Sequence, residues 1–439
     1  MRGRGNRNNG TNGEICTATN ERTATNERTA TNERTATNER DSRRRGRRGG
    51  RFQHARHLGD SGAKVAVRPV KNRADREVFL DLPWSLYKED PSWVPPLKLQ
   101  LRERLSPDSN PYFEHAQVAA FLAERDGEVV GRITAQVCQL AQQFHGEGTG
   151  HFGFFECENN LATAKSLLGA AEQWLRERAM TRMLGPFDLS VNDELGMLVD
   201  GFEYPPYVMM GHHHPYYGSL MSELGLAKAM DLQAYMLDIS RPYTARIGRI
   251  VERVSRDDRI VLRPLNNKNY RSELRQVLEV FKDSWSDNWG YVPPTDAEAD
   301  HLISEMRPLI SRGSVMLAEY EGELAGFMIV LPNLNEFIGD LNGRLLPTGW
   351  IRLLWRLRFA PFRSVRVPLM GILKKHQNTR LGASIALSMI DQCRSKFVPQ
   401  GVTGCEMSWI LESNAPMRSI LDAAGCEPYK RYRIFSKTL

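Results

Sequence analysis

The chain has 439 residues, 41% of them hydrophobic and 25% charged, and its formal net charge of +7 is unevenly distributed. Residues 1–58 contain fourteen arginines against six acidic residues, whereas the rest of the chain contains 45 basic and 46 acidic residues. A nearly neutral body excludes a protein that wraps nucleic acid with its whole surface, because such binding needs a basic face. The sequence contains no run of about 18 apolar residues, so no membrane-spanning helix is predicted. The six scattered cysteines form no CxxC pair, which predicts reduced thiols in a cytoplasmic protein.

Residues 1–63 are predicted to form a disordered, arginine-rich tail. The hexapeptide TATNER occurs four times in succession at 17–40, and this repeat offers no apolar face to bury. The run RRRGRRGGR at 43–51 allows two interpretations. It is either a contact with RNA or an anionic membrane, or a solvated tail or start-site artefact. Nucleic acid is therefore expected only as a partner of the tail, and the apolar segment of a secretory signal peptide is lacking.

The body contains a diverged internal duplication with an offset of 195 residues. The matched runs are VRP and LRP (67–69; 262–264), LAE (122–124; 317–319), GE (127–128; 322–323) and a single glycine (131; 326). Agreement in both order and spacing predicts two copies of one fold. The expected division is a first half at 64–240, a connecting helix at 241–258 and a second half at 259–439.

In chain order, both copies predict the same elements. These are a short strand (65–70; 260–265), a helix (76–87; 271–284), a Trp/Pro loop, a hairpin (119–137; 315–332), a buried strand, a long amphipathic helix (161–178; 380–396), another strand (183–190; 402–411) and a final helix–strand unit. Asp-Gly and Glu-Gly between β-rich runs indicate the hairpin turns. The expected class is α/β (α+β), with two tandem domains that each have a mixed, mostly antiparallel sheet flanked by helices.

This order of elements resembles the GNAT acyltransferase fold, and the body resembles a group of bacterial tandem-GNAT proteins that includes bacterial ceramide synthases. The resemblance is carried by WVPPL (93–97), NPYFEHA (110–116), GFFE (153–156), NWGYVPPT (288–295), LNGRLLP (341–347) and SWILESN (408–414). It implies an N-acyltransferase that uses acyl-CoA, with acyl-carrier protein as the alternative donor. The implied acceptor is an amine, in the narrower version a long-chain, sphingoid-type base that gives a ceramide-like lipid. A non-catalytic, GNAT-like binding or regulatory protein is the alternative.

For the donor, the resemblance implies a site where a splayed strand meets a helix N-terminus, because free N–H groups and the helix dipole suit a pyrophosphate. The family signature Gln/Arg-x-x-Gly-x-Gly/Ala is matched by Gln377, Arg380 and Gly382, with arginine in place of the first glycine. The predicted donor-binding residues are Leu369, Met370, Gly371, Ile372, Gln377, Asn378, Thr379, Arg380, Leu381, Gly382 and Ala383. An ordinary strand-to-helix loop is the alternative. In the first half Glu156 and Glu158 occupy the corresponding place, and their charge should repel a donor.

Amide formation needs a base for the proton that the amine releases and an acid for the leaving thiolate. The resemblance places Leu421 where the family usually has a tyrosine, so the usual general acid is missing from its position. Tyr429 and Tyr432 lie nearby in sequence, within a segment, 427–432, that is predicted to be hairpin-like or a paired edge.

Glu406 is the candidate base, because apolar neighbours in a strand would raise the pKa of its carboxyl. A structural salt bridge is the alternative for this residue. His376 and Asp287 are further catalytic candidates. The residues expected to contact the acceptor are Trp285, Asn288, Trp289 and Asn414. Three consecutive histidines, 212–214, rarely converge on one ion, so no metal site is expected.

Residues 341–390 contain nine basic residues and no acidic one. The later part of this window suits the phosphates of CoA. The earlier part, 349–359, combines Trp, Leu and Phe with Arg352 and Arg356 on one helical stripe, which is typical of an interfacial helix on an anionic membrane. The alternative is a helix packed on the core with its arginine row facing water. On the first interpretation we expect a peripheral contact with the inner membrane surface and a lipid acceptor.

Overall fold

The computed structural model describes residues 64–310 and 313–439. The predicted tail at 1–63, with its TATNER repeats and arginine run, lies outside these residues. The strands are β1 (Ala66–Pro69), β2 (Ala116–Arg125), β3 (Glu128–Cys138), β4 (Thr149–Cys157), β5 (Arg182–Gly185), β6 (Met197–Asp200), β7 (Ala227–Asp238), β8 (Ile260–Pro264), β9 (Ser314–Tyr320), β10 (Glu323–Pro332), β11 (Ser364–Ile372), β12 (Gly404–Leu411) and β13 (Glu427–Thr438). The helices are α1 (Arg73–Leu86), α2 (Lys98–Arg104), α3 (Gln139–His145), α4 (Leu161–Arg176), α5 (Tyr217–Glu223), α6 (Ala245–Ser255), α7 (Tyr270–Trp285), α8 (Asp296–Ile310), α9 (Asn335–Ile338), α10 (Gly349–Phe359), α11 (Arg380–Phe397) and α12 (Ala415–Ala424).

The two halves begin with the same ion pair in the same strand register. On β1 and β2, Arg68 Nε lies 2.7 Å from Glu124 Oε1, and on β8 and β9 Arg263 Nε lies 2.7 Å from Glu319 Oε1. The register is the same at the offset of 195 residues, because residues 67 and 123 are paired in the first half and 262 and 318 in the second. The repeated VRP/LRP and LAE runs therefore specify one strand pair, built twice.

Both predicted hairpin turns have the backbone conformation that their sequences indicate. Asp126 and Gly127 have φ of 52° and 80°, and Glu321 and Gly322 have φ of 52° and 83°. Positive φ at both central residues is the turn that fits the right-handed twist of a two-residue hairpin, and glycine at the second position avoids most of its strain.

One continuous sheet runs through both halves, in the order β1-β2-β3-β4-β5-β13-β7-β12-β11-β10-β9-β8, with β6 beside β13. The mixed α/β class is confirmed, but the two expected sheets are joined edge to edge. The last strand of each predicted half lies in the other half, since β7 pairs with β12 and β13 pairs with β5. The segment 427–432 is accordingly the start of a central strand, neither a hairpin nor an edge. The division at 240 and 259 stays a prediction, and α6 lies within the expected connecting segment.

Each half has its own apolar core behind the sheet. In the first half α4 buries Leu167 and Leu175 completely, and in the second half α11 buries Ile385, Met389 and Ile390 completely. Full burial of one such side chain contributes roughly 1.5–3 kcal/mol. The apolar spacing that predicts these two helices is therefore the spacing that fixes them against the sheet.

Candidate active site

The sheet opens between β11 and β12. Their parallel pairing runs from Ser364 opposite Gly404 to Val367 opposite Met407, and it ends there although β11 continues to Ile372. On its other side β11 stays paired with β10 as far as Ile372. Among the described strands, none covers the β12 side of residues 368–372. This is the splayed strand that the sequence predicts for a thioester donor.

The opening leads to the N-terminus of α11, where steric crowding requires glycine at position 382. A Cβ atom on Gly382 would lie 2.2 Å from the carbonyl oxygen of His376, so only glycine lets the loop fold back against the first helical turn. Thr379 caps the helix, because its Oγ1 accepts a hydrogen bond from the Gly382 amide at 3.1 Å. Arg380 is exposed in that first turn and makes no ion pair among the described residues. The helix dipole and this arginine together provide positive charge for a phosphate.

Gln377 has a structural role in this loop. Its Nε2 donates to the carbonyl oxygens of Ile372 at 2.9 Å and Ser284 at 3.1 Å. The side chain thereby ties the end of β11 to the end of α7. Both N–H groups of the Gln377 amide are used in these hydrogen bonds. An acyl donor would therefore be bound by the shape of the loop and not by the glutamine side chain.

Two lysines of the acid-free window are neutralised by acids from outside it. Lys374 Nζ lies 2.6 Å from Asp287 Oδ1, and Lys375 Nζ lies 2.7 Å from Glu323 Oε2. The side chain of Asp287 is 82% exposed. It therefore lies in a solvated ion pair that links the α7–α8 loop to the predicted donor loop, and its surroundings are not those of a buried base.

The corresponding opening in the first half is filled with side chains. Pairing of β4 with β5 ends at residues 151 and 184, while β4 continues to Cys157. Tyr216 donates to the carbonyl of Cys157 at 2.8 Å, and the hydroxyl of Tyr217 accepts from the Cys157 amide at 3.1 Å and donates to Glu156 at 2.7 Å. The two tyrosines and the carboxylate occupy the place where a donor would enter.

The N-terminus of the helix that follows this strand, α4, is capped by a side chain. Asn160 accepts hydrogen bonds from the amides of Ala162 and Thr163 at the start of α4, and Glu158 accepts from the Thr163 hydroxyl at 2.6 Å. Those amides are engaged, whereas the charge of Glu158 is balanced by Arg125, whose Nη1 lies 2.9 Å from its Oε1. The expectation that the first half binds no donor therefore has a structural reason.

Glu406 lies in a buried polar cluster beside the closed end of the β11–β12 opening. Its side chain is fully buried, and Arg366 Nε lies 3.5 Å from its Oε1. Ser408 donates to the same oxygen at 2.6 Å, and the Tyr429 hydroxyl donates to Oε2. The structural salt bridge, the alternative role considered for Glu406, is thus present.

The apolar neighbours expected for Glu406 are Cys405, Met407 and Trp409, and of these the Trp409 ring lies 5.0 Å from the guanidinium of Arg366, the counter-ion of Glu406. Cys405 and Met407, which flank Glu406 in the sequence, point to the opposite face of the sheet. There Cys405 Sγ lies 4.0 Å from Cys393 Sγ on α11. Side chains alternate between faces along a strand, so adjacent residues in sequence are not neighbours in space. The real neighbours of the carboxylate are charged and polar.

Tyr429 reaches Glu406 across an intervening strand. Glu406 lies opposite Met236 of β7, and Met236 lies opposite Glu427 of β13. Burial, and next the charge of Glu406, raise the pKa of Tyr429 far above its usual range, so the hydroxyl keeps its proton and acts as a donor. The tyrosine is partly exposed, whereas the carboxylate behind it is not.

A loop of the first half covers this cluster. Arg366 donates to the carbonyl of Met209 at 2.9 Å and also to that of Val208. Lys430 donates to the carbonyl of Pro205 at 2.7 Å, and burial lowers the pKa of Lys430 to about 8. The candidate centre is therefore assembled from both halves of the chain.

The other predicted site residues are distributed around this centre. His376 packs its ring 5.5 Å from that of Tyr320. Arg366 is the strand partner of Glu406. Ile372 lies six residues further along β11, which is about 20 Å at strand spacing. Because His376 comes after Ile372, His376 and Glu406 do not share one centre. Asn414 caps α12 by accepting from the Met417 amide at 3.1 Å. This capping role explains the residue without a substrate.

The three acceptor-contact candidates on the α7–α8 loop have different surroundings. Trp285 Nε1 donates to the carbonyl of Met370 at 3.3 Å, which places the indole on the uncovered part of β11. Asn288 and Trp289 line a cavity of about 440 Å³ together with residues of the first half. The loop therefore lies between the β11–β12 opening and this cavity.

The consecutive histidines point in three directions. His212 Nε2 lies 2.9 Å from Asp90, His213 Nδ1 accepts from the Leu198 amide at 3.1 Å, and His214 Nε2 lies 3.0 Å from the carbonyl of Leu86. Within residues 64–310 and 313–439, no group of three or more His, Cys, Asp or Glu side chains is placed to hold a metal ion.

Helix α10 presents apolar side chains to solvent. Among the described residues, twelve large apolar side chains are exposed, and half of them are Leu346, Trp350, Ile351, Leu354, Trp355 and Phe359. Two arginines of the row are paired with a carboxylate. Arg356 Nη2 donates to Asp340 Oδ2 at 2.8 Å, and Arg352 Nη2 lies 3.5 Å from the same oxygen. The helix also packs on the core through Leu353 and Leu357, and the side chain of Arg352 is 57% exposed, so both interpretations of this segment stay predictions. None of the described helices is long and apolar enough to cross a bilayer.

Comparisons with known proteins cover almost the whole described chain, although no family model matches. Bacterial ceramide synthase from Caulobacter vibrioides is 42% identical over 380 residues, which are 86% of this chain and 99% of that protein. Protein YghO from Escherichia coli is 37% identical over 374 residues, 85% of this chain and 95% of that protein. Among solved structures, a tandem GNAT protein from the clavulanic acid biosynthesis pathway has a TM-score of 0.50 at 13% identity, over 85% of this chain and 98% of that one. The sequence matches include both halves, and the structural match shows the fold.

Proposed function

The chain belongs to the family of bacterial ceramide synthase and is a tandem GNAT acyltransferase. From this premise we propose that it transfers an acyl group from CoA to the primary amine of a long-chain, sphingoid-type base, giving a ceramide-like lipid. The observation that carries the proposal is the opening between β11 and β12, which leads to the glycine-dependent first turn of α11 and has Glu406 and Tyr429 beside its closed end. The donor specificity and the acceptor are inferred from the named relative and from the exposed apolar helix.

The second half supplies the donor site in this proposal. The pyrophosphate of CoA binds at the N-terminus of α11, where Arg380 and the helix dipole supply positive charge. The pantetheine chain lies along residues 368–372, beside the indole of Trp285, which already donates to the carbonyl of Met370. The thioester then points toward the closed end of the opening. The first half contributes no second donor site, because Tyr216, Tyr217 and Glu156 fill its opening.

Tyr429 and Glu406 act as a proton relay in this proposal. The nitrogen lone pair attacks the thioester carbon and forms the C–N bond. The nitrogen proton passes to Tyr429 as the phenolic proton moves to Glu406. When the C–S bond breaks, the proton returns from Glu406 through Tyr429 to the thiolate, so that amide and free CoA-SH are the products. Because Glu406 is fully buried, the partly exposed tyrosine is the group that reaches the substrate, and it replaces the acid missing at Leu421.

A member of this acyltransferase family that has lost turnover and only binds ligands is the second candidate, and Arg380 favours it. An arginine in place of the first signature glycine restricts the approach of a phosphate to the backbone. Such a protein would show no turnover with any donor.

We further propose that α10 docks the enzyme on the cytoplasmic surface of an anionic membrane. Trp350 and Trp355 belong to its exposed apolar face, and Arg344, Arg358 and Arg363 are exposed without an ion pair among the described residues. Tryptophan and arginine around an apolar face match the interfacial region of a bilayer. A lipid acceptor would then be taken from the surface to which the enzyme is bound.

Membrane docking is tested by co-sedimentation with vesicles. The Trp350→Ser/Trp355→Ser variant should lose most binding to vesicles that contain phosphatidylglycerol, because each tryptophan contributes buried apolar area in the interface. Leu99→Ser removes a similarly exposed side chain from α2 and should bind like the parent. Equal binding by all three proteins, or equal binding to purely zwitterionic vesicles, would exclude docking through α10.

The proposed activity is tested with purified protein, sphinganine and a panel of donors, with products identified by mass spectrometry. We expect N-acylsphinganine from palmitoyl-CoA. A product formed only from acyl-carrier protein would show that this protein, and not CoA, carries the acyl group. A product from acetyl-CoA alone would exclude a lipid-forming enzyme. No acylated product from any donor and amine would favour the binding protein.

A further inference from the structure

A cavity of about 440 Å³ lies between the first half and the α7–α8 loop of the second half. Its volume is within the range of small-molecule sites. The apolar walls are formed by Leu140, Ala141, Phe144, Leu184, Phe187 and Leu189 from the first half, with Val292 and Pro293 from the second. Phe144 is 55% exposed, whereas Phe187 is 4% exposed. The cavity therefore has a solvent end near Phe144 and a buried end near Phe187.

Polar side chains also line the cavity, and those of Thr149, Ser190, Asn192, Ser286 and Asn288 are uncharged. His151 lines it beside Phe187, and burial lowers the pKa of His151 to about 4, so this imidazole is neutral at pH 7. It makes no hydrogen bond to another described residue. Asn192 spans the seam by donating to the carbonyl of Val292 at 3.3 Å. Charged groups are confined to the rim, where Arg182 is exposed, and to the ion pair of His115 with Glu298.

Two observations connect the cavity with the candidate active site. Trp289 lines the cavity and packs against the same buried apolar cluster, which includes Leu184 and Tyr432, as Tyr429 and Trp409 do. Ser286, another lining residue, directly follows Trp285, which is hydrogen-bonded to the uncovered part of β11. A chain bound in the cavity therefore begins next to the place where the thioester would lie.

We propose that this cavity binds a hydrocarbon chain of one substrate, with the chain directed toward Phe187 and the reacting end at the α7–α8 loop. The proposal rests on the proposed acyltransferase function and assigns the first half a role in chain selection. Mostly apolar walls and a neutral histidine exclude an ionic ligand deep in the cavity, because a buried charge would lack a partner there. The chain belongs either to the acyl donor or to the acceptor amine, and the experiment separates these sources.

Cavity-filling variants test the assignment. Ala141→Leu on α3 and Val191→Phe in the β5–β6 loop each add volume to the lining. Ala162→Leu adds the same side chain to an exposed position in the first turn of α4 and serves as the matched control. Alkylamines from octylamine to octadecylamine are assayed with palmitoyl-CoA, and acyl-CoAs from hexanoyl to stearoyl are assayed with sphinganine.

In the parent enzyme kcat/KM should rise about fourfold per methylene for the chain that occupies the cavity, as expected for burial of one methylene group. In both filling variants this rise should stop at a chain shorter by about two to four carbons, whereas short chains keep their rates. The series of the other substrate should stay unchanged. An equal loss at every chain length, or no change in either series, would overturn the proposal.

Two further measurements keep the test decisive. If a filling variant does not fold, Phe187→Leu at the buried end should extend the rise in kcat/KM to longer chains, and unchanged selectivity would contradict the proposal. If the parent shows no turnover, the proposed function fails, and binding of palmitoyl-CoA and of sphinganine is then measured by calorimetry. Weaker binding of one ligand to the filling variants would still support the cavity, and equal binding to all variants would exclude it.

Discussion

The Glu406→Gln variant separates catalysis from stability, because Glu406 has both a counter-ion and a proton donor. Its Oε1 lies 3.5 Å from Arg366 Nε, and both side chains are at most 2% exposed. At an effective dielectric constant of about 20, this attraction is about 5 kcal/mol. Glutamine preserves size, and its single amide oxygen can accept from either Ser408 or Tyr429, but it leaves Arg366 buried without a counter-charge. We expect the free energy of unfolding to fall by about 3–5 kcal/mol and kcat to fall about 10²–10⁴-fold.

The double variant Arg366→Gln/Glu406→Gln distinguishes the two losses. Removing both charges together should restore most of the free energy of unfolding, since no uncompensated charge stays buried. It should not restore kcat, because the proton relay still lacks its carboxylate. Stability is measured by urea denaturation and kcat by release of free CoA-SH. A double variant that regains at least a tenth of the parent kcat would refute the catalytic role of Glu406 and leave a structural salt bridge.

Three further predictions concern the acid, the donor loop and the effect of pH. Tyr429→Phe should lower kcat at least 10²-fold with a loss of only about 1.5–3 kcal/mol in unfolding free energy, and unchanged kcat would exclude the relay. Gly382→Ala should raise KM for palmitoyl-CoA about tenfold or more without lowering kcat at saturation, because the new Cβ would displace the carbonyl of His376; Gly248→Ala in α6, where a Cβ meets no atom, should leave KM unchanged. Contact with Cys138, and next with Glu298, raises the pKa of His115 to about 10, so its stabilisation is complete below pH 6.5 and lost as the pH rises toward 10. The parent should therefore lose about 1–3 kcal/mol of unfolding free energy over that interval, and His115→Gln should show a clearly smaller loss.

Local sequence signals predicted the repeated units well. The VRP/LRP and LAE runs encode an ion pair and a strand register that occur twice, at Arg68 and Arg263. Asp-Gly and Glu-Gly encode two-residue turns, and apolar residues at helical spacing encode α4 and α11. In each case the interacting residues are close in sequence or repeat at a fixed offset, so the physical cause is visible in the sequence itself.

Contacts between the halves were not predictable in the same way. Tyr429 bonds Glu406 only because β7 of the first half lies between β12 and β13, and no local signal reports that exchange of last strands. Alternation along β12 placed Cys405 and Met407, two of the apolar neighbours expected for Glu406, on the other face of the sheet. The composition of α10 is equally compatible with burial and with exposure, and only the packing of the helix on the core decides which face stays in solvent. Gln377 matched a family signature, yet its amide holds the loop together.

Incubation of the purified full chain with sphinganine and palmitoyl-CoA labelled with ¹³C in the acyl group tests the central claim most directly. The account predicts N-acylsphinganine that carries the label, formed with one equivalent of free CoA-SH and lost in Glu406→Gln. Release of CoA without labelled amide, or labelled amide formed equally by Glu406→Gln, would contradict it.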